Sequence, residues 1–155
     1  MIKSIGYKLK LDTKSLIELG TASLLKDIGY KKIDDEIILK NDLLSKSEIT
    51  EIQKHSRFSV EIAKLNNVTD PVIIEAILHH HEQENGQGYP DELSRSEVRN
   101  YAVILFICDV FAALTSIKPY RAQYSSYEAI KYMMKDPSMA DKFNGQYLKI
   151  FLKSL

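Results

Sequence analysis

The amino-acid sequence predicts an all-α fold, and three observations carry that expectation. Helix-start signals recur along the chain, apolar residues return at helical spacing, and strand-like alternation is almost absent. Only Ile33 to Leu39 alternates, and it reads as irregular. Ser45 with Glu48, Ser94 with Glu97 and Ser125 with Glu128 read as Ser-x-x-Glu capping boxes, in which hydroxyl and carboxylate satisfy the orphan amides of a first turn. Asp70 before Pro71 is a fourth start, an N-cap acid followed by a ring whose missing N–H costs nothing at the first helical position. These cues place helices near 13–27, 46–65, 71–81, 96–116, 126–135 and 143–153, a bundle of about six. The segment 82–93, with Asn85-Gly86, Gly88 and Pro90, cannot be helix and reads as a shaped loop.

A chain of 155 residues suits one domain, and its 45% hydrophobic content with nine Tyr and five Phe is ample for one core. Lys+Arg and Asp+Glu both count 21, so no net field draws the protein to nucleic acid or to an anionic membrane, and neither is expected as a partner. The lone Cys108 excludes an internal disulfide and fits a reducing compartment. Its neighbours in Ala102 to Cys108 are apolar, which suits a buried structural thiol. Met1 to Leu11 alternates Lys with apolar residues and has neither the apolar run nor the cleavage site of a signal peptide. The apolar stretch from Ala102 to Leu114 is broken by Asp109 and is too short to span a bilayer. The expectation is a soluble cytoplasmic domain.

Function shows in polar residues at core positions. In the segment 46–65, Ile52, His55, Ser59 and Ile62 share a stripe, so His55 faces inward. In 71–81 the same spacing joins Ile73, Ile77, His80 and His81, and the histidines fall at the C-terminal end. In 96–116, Tyr101, Leu105, Asp109 and Ala112 share one face, which puts a carboxylate inside the most apolar segment. Asp27 ends Leu24-Leu25-Lys26-Asp27 beside a helix-stopping glycine, Gly29. Each has a plainer reading alone. A single inward histidine is more often a hydrogen-bonded core residue than a ligand, and a buried aspartate often pairs with lysine. Three adjacent histidines at a helix end also suit the dipole there. Jointly they are harder to accommodate, because an unpaired buried carboxylate costs several kcal/mol. One divalent cation satisfies them together, since imidazole and carboxylate suit zinc, iron, manganese or nickel.

The stretch His80-His81-Glu82-Gln83-Glu84-Asn85-Gly86-Gln87-Gly88-Tyr89-Pro90 resembles the HHE-x-x-DG-x-GYP signature of HD-GYP domains. Asp109-Val110-Phe111-Ala112-Ala113-Leu114-Thr115 resembles the family's AD-x-FDALT segment, and Lys118-Pro119-Tyr120-Arg121 its RPYR segment. Leu24 to Gly29 is similar to LLHDIG, and Glu51 to His55 to the helix bearing the next family histidine. The resemblance spans about residues 20–155 in family order. It implies an HD-type helical bundle with an irregular loop at Gly86, Gly88, Tyr89 and Pro90, which binds metal and hydrolyses cyclic di-GMP. It also implies a bridging Asp27, metal ligands at His55, His80 and His81, a neighbouring ligand at Asp109, and a phosphate grip by Lys118 and Arg121.

The departures from the family pattern set the expected chemistry. The histidine of the HD pair is Lys26, the next family lysine is Tyr30, and the aspartate of the DG step is Asn85. No histidine precedes Lys26, so the family's first metal-binding helix is expected to be missing. The pattern therefore implies one metal rather than two, and without metal Lys26 should lie against Asp27 or Asp109. Three functions are left open. The first is a weak, metal-dependent cyclic di-GMP phosphodiesterase. The second is a non-catalytic module that senses cyclic di-GMP or docks a GGDEF-type cyclase or other signalling protein. The third is a metal-free structural domain.

Overall fold

The computed structural model describes residues 1–94, 97–117 and 122–155. Among them, nothing is strand apart from one antiparallel bridge between His81 and Tyr89. Helix α1 (Ile2–Lys8) was not expected from the sequence. Its lysines hide a stripe of Ile2, Ile5 and Leu9, of which Ile5 is fully buried and the other two pack on the core. Helix α2 (Thr13–Leu25) starts where the Asp12 carboxylate accepts from the Ser15 amide at 2.8 Å. A 3₁₀ turn (Ile28–Lys32) follows, then α3 (Asp35–Ile38), a short helix capped by Asp34. The alternating apolar residues of that segment are thus helical rather than irregular, because the Asp34 cap starts a turn.

The predicted helix 46–65 is divided into α4 (Lys46–Gln53) and α5 (His55–Leu65) at Lys54. There the Lys54 amide bonds the nearer Glu51 carbonyl, at 3.1 Å, and the turn tightens. Helix α6 (Pro71–Leu78) has the expected Asp70 cap and proline start, but it stops at His79, so His80 and His81 lie beyond its end. Helix α7 (Asn100–Thr115) begins later than position 96. Ser94 does donate to Glu97, yet that box closes on a turn ahead of the helix. Helix α8 (Ser126–Lys135) carries its full Ser125–Glu128 box, and a 3₁₀ turn (Ala140–Lys142) leads to α9 (Gly145–Leu152), capped by Asn144.

Helix α7 is the axis of the core, with Ile104, Leu105 and Ile107 essentially inaccessible, and α1, α6, α8 and α9 pack around it. Phe111 meets Phe151 at 5.1 Å and Phe106 meets Phe143 at 5.3 Å between ring centroids. Each such side chain stabilises the fold by about 1.5–3 kcal/mol through burial. Cys108 is buried as expected, and burial pushes its thiol up to about 12. Among the described residues no helix is long and apolar enough to cross a membrane. On the other flank α2 packs on α6 and α6 on α5, while the turn Ile28–Lys32 lies along α5. The polar centre forms on this flank.

Candidate metal centre

The centre begins with a close approach of backbone to backbone. A Cβ at Gly29 would fall 2.0 Å from the His55 carbonyl oxygen and 2.5 Å from the Ser59 nitrogen. Only glycine fits there, so Gly29 serves close packing rather than stopping a helix by left-handed geometry. Ser59 straps the approach together, accepting from the Gly29 amide at 2.8 Å and donating to the Lys26 carbonyl at 2.6 Å. Lys26 and Asp27, at the end of α2, are thereby fixed against the start of α5.

Three imidazoles converge on Asp27. His55 sits at the first turn of α5, where its Nδ1 contacts the Ile52 carbonyl at 2.8 Å, and His80 repeats the device on Ile77 at 2.7 Å. A carbonyl only accepts, so each Nδ1 must carry a proton, and each ring then turns its Nε2 towards the cluster. The two Nε2 atoms lie 3.4 Å apart, and Asp27 Oδ1 is 3.7 Å from His55 Nε2 and 3.5 Å from His80 Nε2. One ligand atom each from Asp27, His55, His80 and His81 lies within 4.8 Å of the other three. His81 Nε2 is buried without a hydrogen-bond partner among the described residues. A polar atom so placed costs about 1–3 kcal/mol. Imidazole and carboxylate donors gathered so closely around an orphaned nitrogen fit a divalent cation.

Electrostatics favour the same state. Burial pushes His55 below the ordinary histidine range, and burial with His80 and His55 nearby pushes His81 down to about 2. The His55 and His81 rings therefore stay neutral, as metal binding requires. Burial would raise the Asp27 carboxyl, but His80 and the Lys26 ammonium outweigh it and hold it below the usual carboxylate range. Asp27 is half exposed rather than inward, because it lies past the end of α2, and this leaves the centre open on one side. Asp109 lies nearby without joining the cluster. Its Oδ2 takes the Lys26 Nζ at 2.7 Å, and the same ammonium bonds Asp27 Oδ2. Burial would depress the Lys26 ammonium, yet Asp109 and Asp27 hold its pKa above the ordinary value.

The loop after α6 closes one wall. Tyr89 stacks on His81 at 4.6 Å, as Tyr30 stacks on His55 at 4.2 Å. A Cβ at Gly88 would strike Glu82 Cα at 2.4 Å, and Gly86 has φ +73, so both glycines are required by the path of the loop. The Tyr89–Pro90 bond is cis. Glu82, 3% exposed, turns away from the histidines and accepts from the amides of Asp91 at 2.8 Å and Leu93 at 3.0 Å. Sequence reasoning gave no role to Glu82 or to the Ser59 strap. A glutamate directly after two histidines in a glycine-rich loop was the available signal for the first. Lys118 and Arg121 lie outside the described residues.

Fold and centre define an all-helical domain that holds a three-histidine, one-carboxylate cluster. A family model described as HD domain matches residues 1–143. A cyclic di-GMP phosphodiesterase of Pseudomonas aeruginosa is 28% identical over 152 residues, covering 98% of this chain and 36% of the relative. A 3'3'-cGAMP-specific phosphodiesterase of Vibrio cholerae is 30% identical, covering 99% of this chain and 35% of that protein. The chain thus spans about a third of the length of these curated relatives. An HDG"Y"P protein from Bdellovibrio bacteriovorus has the same fold, with a TM-score of 0.74 at 22% identity over 97% of this chain and 48% of that one. The chain belongs to the HD-domain family, and its Gly86-Gln87-Gly88-Tyr89-Pro90 loop resembles the HD-GYP signature.

Proposed function

We propose that this domain is a metal-dependent phosphodiesterase unit of low turnover that binds a cyclic dinucleotide of the cyclic di-GMP type. The observation that carries the reading is the convergence of Asp27, His55, His80 and His81 around the unpartnered His81 Nε2. These four residues would hold one divalent ion, drawn from iron, manganese, nickel and zinc. Such an ion, when bound, supplies a Lewis acid for a phosphoryl oxygen and lowers the pKa of water.

The protein's own groups do the rest. The open side at Asp27 admits a phosphodiester. Burial pushes the Tyr30 hydroxyl up to about 12, so it remains a donor at neutral pH at the mouth of the centre. Lys118 and Arg121 would grip a second phosphate from the segment after α7. Low turnover follows from the second carboxylate. Asp109 is already paired with the Lys26 ammonium, and one ion alone does not clamp both the attacking and the leaving oxygen.

That same ion pair favours a second reading, a module that senses the dinucleotide or docks a GGDEF-type or other signalling protein without hydrolysis. Metal-replete protein incubated with cyclic di-GMP and with 3'3'-cGAMP separates the two. Slow release of linear product, lost in His80→Ala, supports the enzyme. Binding without product supports the sensor. Turnover at ordinary enzyme rates, roughly 1–1000 per second, would refute the low-turnover reading.

A further inference from the structure

We propose that Lys26 is a resident cation standing in the place of a second metal ion, so that the centre takes one divalent ion and excludes another. The inference rests on the metal reading above and adds which residue limits the count. Asp27 is divided between two neighbours of different kind. Its Oδ1 faces the Nε2 atoms of His80 at 3.5 Å and His55 at 3.7 Å, while its Oδ2 takes the Lys26 ammonium. A carboxylate oriented in this way bridges two cationic positions, and one of them is already filled by a covalently tethered charge.

Size and charge both make that position exclusive. Lys26 Nζ bonds Asp27 Oδ2 and lies 2.7 Å from Asp109 Oδ2. An ion held by the same two oxygens at the usual ~2.0–2.2 Å would need the volume that Nζ occupies. The lysine has no ready alternative, because its side chain is 8% exposed and a displaced buried ammonium would lose both counter-charges. Two carboxylates already share one ammonium, and a second divalent ion would crowd like charge onto the same position. The plainer alternative is an incidental ion pair that opens whenever metal arrives.

Manganese separates the two. The metal-free full chain is dialysed against increasing Mn(II), bound ion is counted, and its electron paramagnetic resonance spectrum is recorded. Wild type should saturate at one ion per chain with the hyperfine signal of an isolated centre. Lys26→His should bind a second ion between Asp27 and Asp109, and the signal per ion should fall as two ions sharing a carboxylate couple. Lys26→Met, which removes the charge but adds no ligand of comparable strength, should stay at one. Two ions in wild type, or one in a folded Lys26→His, would overturn the inference and leave the metal reading standing. No ion in wild type would instead overturn the metal reading, and this inference with it. Should Lys26→His fail to fold, the wild-type count alone decides, one ion for the inference and two against it.

Discussion

Around α7, ring meets ring, with Phe111 on Phe151 and Phe106 on Phe143, and no polar atom directs the contact. Around Asp27 the contacts run from backbone to polar atom. Ser59 ties the Lys26 carbonyl to the Gly29 amide, His55 and His80 rest on carbonyls three residues back, and Glu82 collects two amides. The apolar flank can absorb small changes by repacking, because dispersion has no fixed direction. The polar flank cannot, because each atom there is aimed. The first supplies stability, and the second spends part of it on holding an orphaned nitrogen and two carboxylates in place.

The largest predicted effect tests whether the polar flank is the rigid one. Gly29→Ala should cost at least about 3 kcal/mol, since its methyl meets the His55 carbonyl and Ser59 amide, which are backbone atoms. Phe151→Ala on the apolar flank should cost about 3–5 kcal/mol by leaving a cavity, with affinity for Mn(II) unchanged. Urea unfolding and metal titration of both variants check the pair. Loss of metal affinity in folded Phe151→Ala would show that the flanks are coupled.

Metal removal sharpens the contrast further. At a free ion concentration of a hundred times its Kd, bound metal should stabilise wild type by about 2.7 kcal/mol. His81→Ala should abolish that gain, and in the metal-free protein relief of the unpartnered ring nitrogen should offset part of the packing lost with the Tyr89 stack. Thermal melts with and without Mn(II) read both effects. Arg121→Ala should weaken cyclic di-GMP binding by about 1.5–3 kcal/mol in low salt, and equal affinities would leave it a surface cation.

The smallest effect lies away from both flanks. Ser45→Ala should cost about 1 kcal/mol through loss of the α4 cap. Glu48, held down to about 2 by Lys40 and Ser45, has a folded pKa below its ordinary 4.5. Its contribution is therefore fully present above pH 4.5 and lost as pH falls towards 2. The difference between wild type and Ser45→Ala in chemical denaturation should shrink over that window.

What the sequence disclosed follows the same division. The caps at Ser45, Asp70 and Ser125 are local chemistry, and each starts a helix where its pattern says. Periodicity marked His55, His80, His81 and Asp109, although His80 and His81 proved to lie past a helix end, and a carbonyl rather than a helical face orients the His80 ring. The break at Lys54 and the start of α7 escaped, since both depend on which carbonyl an amide reaches in the folded chain. Helix α1 escaped because lysines masked its buried stripe. The Ser59 strap and the Glu82 clasp join segments far apart in sequence or bend a loop on itself, and spacing along one helix carries no trace of such contacts.

The Glu82 clasp has a consequence for the order of events when ligand arrives. Its carboxylate spends both oxygens on the amides of Asp91 and Leu93, and Asp91 in turn meets Arg57 at 2.5 Å and His79 at 3.1 Å. None of these contacts uses a residue of the four-donor cluster. The loop is thus tied down by its own return path, and its tyrosine reaches the stack on His81 before any ion does. Amide hydrogens at Asp91 and Leu93 should exchange equally slowly in the metal-free and metal-loaded protein. A substrate would then meet a wall already standing.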